Sequence, residues 1–164
     1  MTIAMHGALD ILTLATALGC GLSAGVFFAF SAFVMDGLAR AEAPEGIAAM
    51  QWINRRAPTP AFLLVWLGTG ALCVVLAVWT VLSGGDRRAV LAVAGAALYV
   101  GGSIAVTFAR NIPMNDALER MDARDPATAR YWRTYVRRWT AWNHVRAAAS
   151  LAAAALLTIA LIEA

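Results

Sequence analysis

Lysine is missing from this chain altogether: its 13 basic residues are all arginine, a bias of the kind a GC-rich bacterial genome imposes. Charge of either sign is scarce, at 14% of residues against roughly a quarter in ordinary soluble domains. The net charge of +3 is small and the arginines are confined to segment ends, so no nucleic-acid partner is expected. Histidine and cysteine number two each. Cys20 and Cys73 lie inside apolar runs with no CxxC spacing and no nearby histidine, which leaves them as small buried hydrophobes. His6 and His144 are predicted at opposite membrane sides, so neither a bis-histidine haem nor a histidine-rich metal centre is supported, and no cofactor or metal is expected.

What takes the place of charge is hydrocarbon, with 61% of residues hydrophobic. A helix needs about 20 apolar residues to cross roughly 30 Å of bilayer core. Three runs qualify outright: Ile11 to Met35, Ala61 to Leu82 and Ala89 to Ala109. A fourth, Ala147 to Ile162, reaches that length only if it starts near Trp139 or Trp142. The prediction is an all-α integral membrane four-helix bundle, one domain over residues 1–164, with spans at about 9–35, 60–82, 89–110 and 139–162. Short amphipathic helices are expected in its two longer loops. The first run is about twice the length of a signal-peptide core and no arginine precedes it, so it reads as a retained span.

The tight turn Ser83 to Arg88 makes a hairpin of the second and third spans and puts both termini on its side. The longer connections, Asp36 to Pro60 and Arg110 to Arg138, share the other side and carry ten arginines against two, Arg87 and Arg88, at the turn. By the positive-inside rule the Arg-rich side is cytoplasmic and both termini are outside, as expected for a multi-pass protein of a bacterial inner (plasma) membrane. Ala17, Gly21 and Gly25 repeat every four residues, and Gly101 with Gly102 adds a second small-residue surface. Helices, or a second copy of the chain in a homo-oligomer, can approach closely along such stripes.

Polar residues gather at the Arg-rich end of every span. Ser31 and Asp36 close the first, Asn54, Arg55 and Arg56 precede the second, and Arg110, Asn111 and Asn115 follow the third. Asn143, His144 and Arg146 begin the fourth. Trp52, Trp132, Trp139 and Trp142 surround them, with Phe27 and Phe30 one or two turns deeper. At about 100° per residue, Trp139, Asn143, Arg146 and Ser150 share one helical face. A charge at that depth faces the bundle or a watered cavity, because lipid exposure costs on the order of 3 kcal/mol. His144 projects nearly opposite Arg146, at the cavity edge or at the interface. For the stretch "ARNIPMNDALERM", Asn115 or Asp116 can cap a helix beginning at "DALERM", with Glu119 completing a capping box. Asn115 can equally be a site ligand, and Asn111 can satisfy carbonyls freed at the end of the third span. "DP" at Asp125 and Pro126 starts a helix that runs on into the fourth span. Amides donate and accept, which suits a neutral, oxygen-rich ligand.

The stretches "FFAFS", "VMDGL", "MQWINR", "RNIPMNDAL" and "WTAWNHVR", in this order, resemble the anthrone-oxygenase-like family of small four-span membrane proteins, long catalogued as a domain of unknown function. The resemblance covers nearly the whole chain, and its most specific element is the pattern of Asn111, Pro113, Asn115 and Leu118. It implies the four-span fold and, for a few members, oxidation of a tricyclic anthrone to an anthraquinone by O2 with no evident metal or flavin. Carried over residue by residue, it points to Asn54, Asn111, Asn115, Trp139, Asn143 and Arg146. The expected site holds a flat aromatic small molecule among Trp139, Trp142, Phe27 and Phe30, with Ser31, Asn54, Asn111 and Asn115 as polar contacts. Arg146 with Asn143 or Asn111 would hold an oxyanion, and His144 or Asp36 would act as base. Two other readings use the same residues: a non-enzymatic binding protein or small transporter for a lipid, quinone or hydrophobic metabolite, and an accessory membrane subunit. The far halves of the spans offer no polar counterpart, which disfavours transport.

Overall fold

The computed structural model describes residues 2–84 and 86–163, with side chains from residue 7 onward, so the side chain of His6 lies outside the described residues. Four helices are long and apolar enough to cross a membrane: α1 (Gly7–Arg40), α3 (Pro60–Leu82), α4 (Arg87–Glu119) and α5 (Pro126–Ile162). A shorter helix, α2 (Ala43–Arg56), lies between the first two spans. Among the described residues there is no strand. The spans close into a ring in which α5 packs on α1 and α4, and α3 completes the circuit between those two.

Local chemistry sets the starts. The Thr59 hydroxyl accepts the Phe62 N–H at 3.2 Å, and Pro60 supplies a first helical residue that has no N–H to leave unpaired. Asp86 caps α4 by accepting from Ala89 N–H at 2.9 Å, and Asp125 caps α5 by accepting from Ala127 N–H at 2.7 Å. With 37 residues α5 is about 55 Å long, so it extends well beyond the hydrocarbon at the Arg-rich end. The start predicted at Asp125 and Pro126 is therefore the start observed.

The stretch after the third span differs from its predicted form. No helix begins at "DALERM": α4 continues through Pro113 to Glu119, with its last α-helical part at Ile112–Glu119. Asn115 and Asp116 are thus interior residues and no capping box forms. Proline is tolerated here because π-helical turns at Tyr99–Ala105 and Thr107–Asn111 lead into it, and such wide turns reroute the backbone pairing that Pro113 cannot complete. Glu119 instead makes an ion pair with Arg55 of α2. A third π-helical segment, Phe30–Val34, interrupts α1.

Close helix contacts fall at Gly102, part of the second predicted small-residue surface, and at Gly19, outside the predicted stripe of α1. A Cβ on Gly102 of α4 would stand 2.3 Å from the Ala149 methyl of α5, and one on Gly19 of α1 would stand 2.1 Å from Thr69 Oγ1 of α3. Gly21, Gly25 and Gly101 have nothing within 4 Å. A four-residue repeat drifts about 40° per step around an α-helix, so Ala17 faces the bundle while Gly25 has turned away. At the end opposite the arginine-rich loops, Arg88 pairs with Asp10, and Arg87 pairs with Glu163 at 3.1 Å. Replacing Gly102 with alanine is expected to cost about 1–3 kcal/mol, seen as a lower midpoint in thermal unfolding of the detergent-solubilised protein, whereas Gly25→Ala leaves the midpoint unchanged.

Candidate functional site

The buried face of α5 is continuous from Trp132 through Tyr135, Trp139, Asn143 and Arg146 to Ser150, three or four residues apart. Arg146 is 6% exposed, and among the described residues it pairs with no carboxylate. Its guanidinium donates to Asn143 Oδ1 at 2.5 Å and to Thr107 Oγ1 at 3.2 Å, while its Nε–H has no partner. The Phe27 and Trp139 rings cover it, with centroids 4.4 Å and 5.1 Å from Cζ. Aromatic faces attract such a cation, at about 2 kcal/mol or more once water is excluded.

Asn143 is fully buried and fixes the orientation of this cluster. Its Nδ2 donates to the Phe27 carbonyl and to Ser31 Oγ, each at 2.6 Å, which turns Oδ1 toward Arg146. On α4 the buried residues Tyr99, Ser103, Thr107 and Asn111 recur every four positions. In an α-helix that spacing would carry Asn111 about 120° away from Tyr99. Turns with i→i+5 pairing hold more residues each, and so keep all four facing inward. The same device acts in α1, where the π-helical Phe30–Val34 keeps Ser31 and Met35 in line with Phe27.

The two amides of the Asn-x-Pro-x-Asn stretch converge on Trp139. Asn111 Nδ2 donates to the Trp139 carbonyl at 3.3 Å. Asn115 Oδ1 accepts from Trp139 Nε1 at 2.8 Å and from the Tyr135 hydroxyl at 2.9 Å. Phe30 packs on the same indole, with ring centroids 5.8 Å apart. Both amides thus set the position of the indole that lies over Arg146. Asn54 of α2 stands beside Tyr135 with its Nδ2 buried and unpartnered.

Phe27, Ser31, Asn143, Trp139 and Arg146 are therefore gathered together, with Phe30, Asn111 and Asn115 joined to them through Trp139 and Asn54 standing further out beside Tyr135. Two expected members stand apart. Trp142 is half-buried beneath Arg110, whose Cζ is 4.8 Å from its ring. His144 is exposed, because two residues of helix rotate it about 200° from Arg146; it lines an outer groove with Ser31, Asp36 and Thr140. Its position agrees with the helical projection, which sets His144 nearly opposite Arg146. Sequence reasoning missed Thr107 and Tyr135, though each lies four residues from a chosen member on the same face. Ser150 Oγ and Asn111 Oδ1 are buried without partners, as is Arg146 Nε. A hydroxyl, an acceptor and a cationic donor thus remain free around one buried charge.

A family model described as "Anthrone oxygenase" matches residues 61–156, which include Thr107, Asn111, Asn115, Trp139, Asn143 and Arg146 but not Phe27, Ser31 or Asn54. No curated protein and no solved structure matches the chain. Asn143→Leu is expected to cost about 2–4 kcal/mol, since it leaves a buried guanidinium short of its nearest acceptor. Adding Arg146→Met to that variant should restore part of the loss; denaturant unfolding of the single and double variants measures both.

Proposed function

We propose that this chain, which belongs to the anthrone oxygenase family, oxidises polycyclic phenolic substrates of the anthrone type with O2 at the Arg-rich end of its bundle. The observation that carries this reading is the Arg146 guanidinium, buried among aromatic rings with an amide where a carboxylate would be expected. A buried charge without a counter-ion costs several kcal/mol. A bound oxyanion offsets that cost, and an enolate is such an anion.

The chemistry balances without a further reactant. A base removes one proton from the anthrone methylene, and the resulting enolate gives its electron pair to O2, forming a carbon–oxygen bond and, after protonation, a hydroperoxide. Loss of the second methylene proton with cleavage of the O–O bond leaves a carbonyl and releases water, so CH2 and O2 become C=O and H2O. Asn143, polarised by Arg146, stabilises the enolate oxygen. His144 or Asp36, on the outer side of Ser31, takes the proton. Trp139 and Phe27 enclose the Arg146 guanidinium and Phe30 packs on Trp139, so the amide and its cation act in water-poor surroundings.

The Arg-rich end is assigned to the cytoplasm and both termini to the outside of a bacterial inner membrane. A reporter active only outside the cytoplasm, fused after the last residue, should be active; one fused in the connection between Arg120 and Asp125 should not. The closed packing around Arg146 also favours a second reading, in which the chain is a structural or accessory membrane subunit. Oxygen uptake separates the two. With a hydroxylated anthrone and purified protein, uptake above the spontaneous rate is expected, and Arg146→Gln should reduce it about 100-fold or more. Unchanged turnover in that variant contradicts the proposal.

A further inference from the structure

Next to the Arg146 cluster, between the end of α1 and the outer part of α5, runs a groove of about 350 Å³, a volume in the range that holds small organic ligands. Val136, Ala39 and Ala141 give it apolar surface, Ser31 and Thr140 also line it, and His144 and Asp36 are exposed along it. Three observations tie it to a ligand. Thr140 Oγ1 is buried and has no hydrogen-bond partner. Asp36 already has a cation, with Arg40 Nε at 2.7 Å, so it does not impose an unmatched negative charge. Ser31 belongs to both places: it lines the groove, and its oxygen accepts the Asn143 Nδ2 proton at 2.6 Å. The pair Ser31 and Asn143 is therefore the wall between open groove and buried cation.

We infer that this groove is the seat of the phenolic substrate, whose ring lies along Val136, Ala39 and Ala141 and whose enolate oxygen replaces Ser31 Oγ on Asn143 Nδ2. The choice of ligand rests on the oxygenase reading; the place rests on the groove itself. Arg146 then never touches the substrate. It is a positioning residue, because its hydrogen bond to Asn143 Oδ1 polarises the amide and strengthens Nδ2 as a donor. The arrangement also gives His144 a part that its distance from Arg146 would deny it, since the imidazole and the substrate share one groove. Charge complementarity favours a weakly acidic phenol: Arg137 also lines the groove, so with Asp36 matched the balance is cationic.

The test uses the full chain in detergent and a hydroxyanthraquinone, a stable coloured analogue, as the binding probe. Ala141→Trp and Ala39→Trp fill the groove from opposite walls, and each is expected to weaken binding at least tenfold. Leu151→Trp, exposed on α5 away from the groove, should bind as the unaltered protein does. If Ala141→Trp does not fold, Ala39→Trp alone carries the test. Equal affinity in a folded groove variant overturns the inference, and so does the absence of saturable binding to the unaltered chain. Loss of binding in the groove variants, together with no oxygen uptake from a hydroxyanthrone, leaves the groove standing and removes the oxygenase reading.

Discussion

One guanidinium, closed inside a membrane bundle with no carboxylate paired to it among the described residues, sets the terms for the Arg-rich half of this molecule. Arg146 must be given acceptors and polarisable faces, and three helices supply them: Phe27 and the Ser31–Asn143 pair join α1 to α5, Thr107 reaches in from α4, and Trp139 of α5 covers the remaining side. Each supplier is itself held. Asn143 is pinned by the Phe27 carbonyl, Thr107 by its hydroxyl donating to the Ser103 carbonyl, and Trp139 by two amides of α4. The result is a cation fixed in space, as preorganised electrostatic stabilisation requires.

Deeper in the bundle the same logic works without charge. The Tyr99 hydroxyl donates to the Trp66 carbonyl and bonds Ser23 Oγ, while Trp66 Nε1 donates to Ser103. These groups are matched among themselves, which is the condition for burying polar atoms cheaply. Around Arg146 the matching is incomplete, and three atoms stay free. Helix geometry connects the two regions: the π-helical turns of α4 bring Tyr99, Ser103, Thr107 and Asn111 to one face, so the satisfied core and the unsatisfied site are successive levels of one stripe.

The spans were legible in the sequence because length and hydrophobicity are one-dimensional properties. So was the α5 stripe, since Trp139, Asn143, Arg146 and Ser150 obey the ordinary helical period. What escaped was whatever depended on a departure from that period. The four-residue spacing from Tyr99 to Asn111 is plain in the sequence, but it reads as a helix end followed by a cap when α-helical geometry is assumed. Asn115 reads as cap or ligand for that reason, and in the structure it braces Trp139 and Tyr135. The glycine repeat in α1 is the exception: spaced by four in a regular α-helix, its members rotate away from the bundle one after another. His144, by contrast, follows the ordinary period, and the side opposite Arg146 that the projection gives it is the groove side.

The central claim is electrostatic: the Asn143–Arg146 pair stabilises an oxyanion on a bound phenol. The ionisation of a protein-bound hydroxyanthraquinone, followed by its visible absorption as pH is varied, measures that directly and needs no turnover. The account predicts that the bound phenol ionises at a lower pH than the free one, because a nearby cation favours the anion, and that Arg146→Gln abolishes the difference while binding persists. Ionisation at the same pH when bound and when free would contradict it.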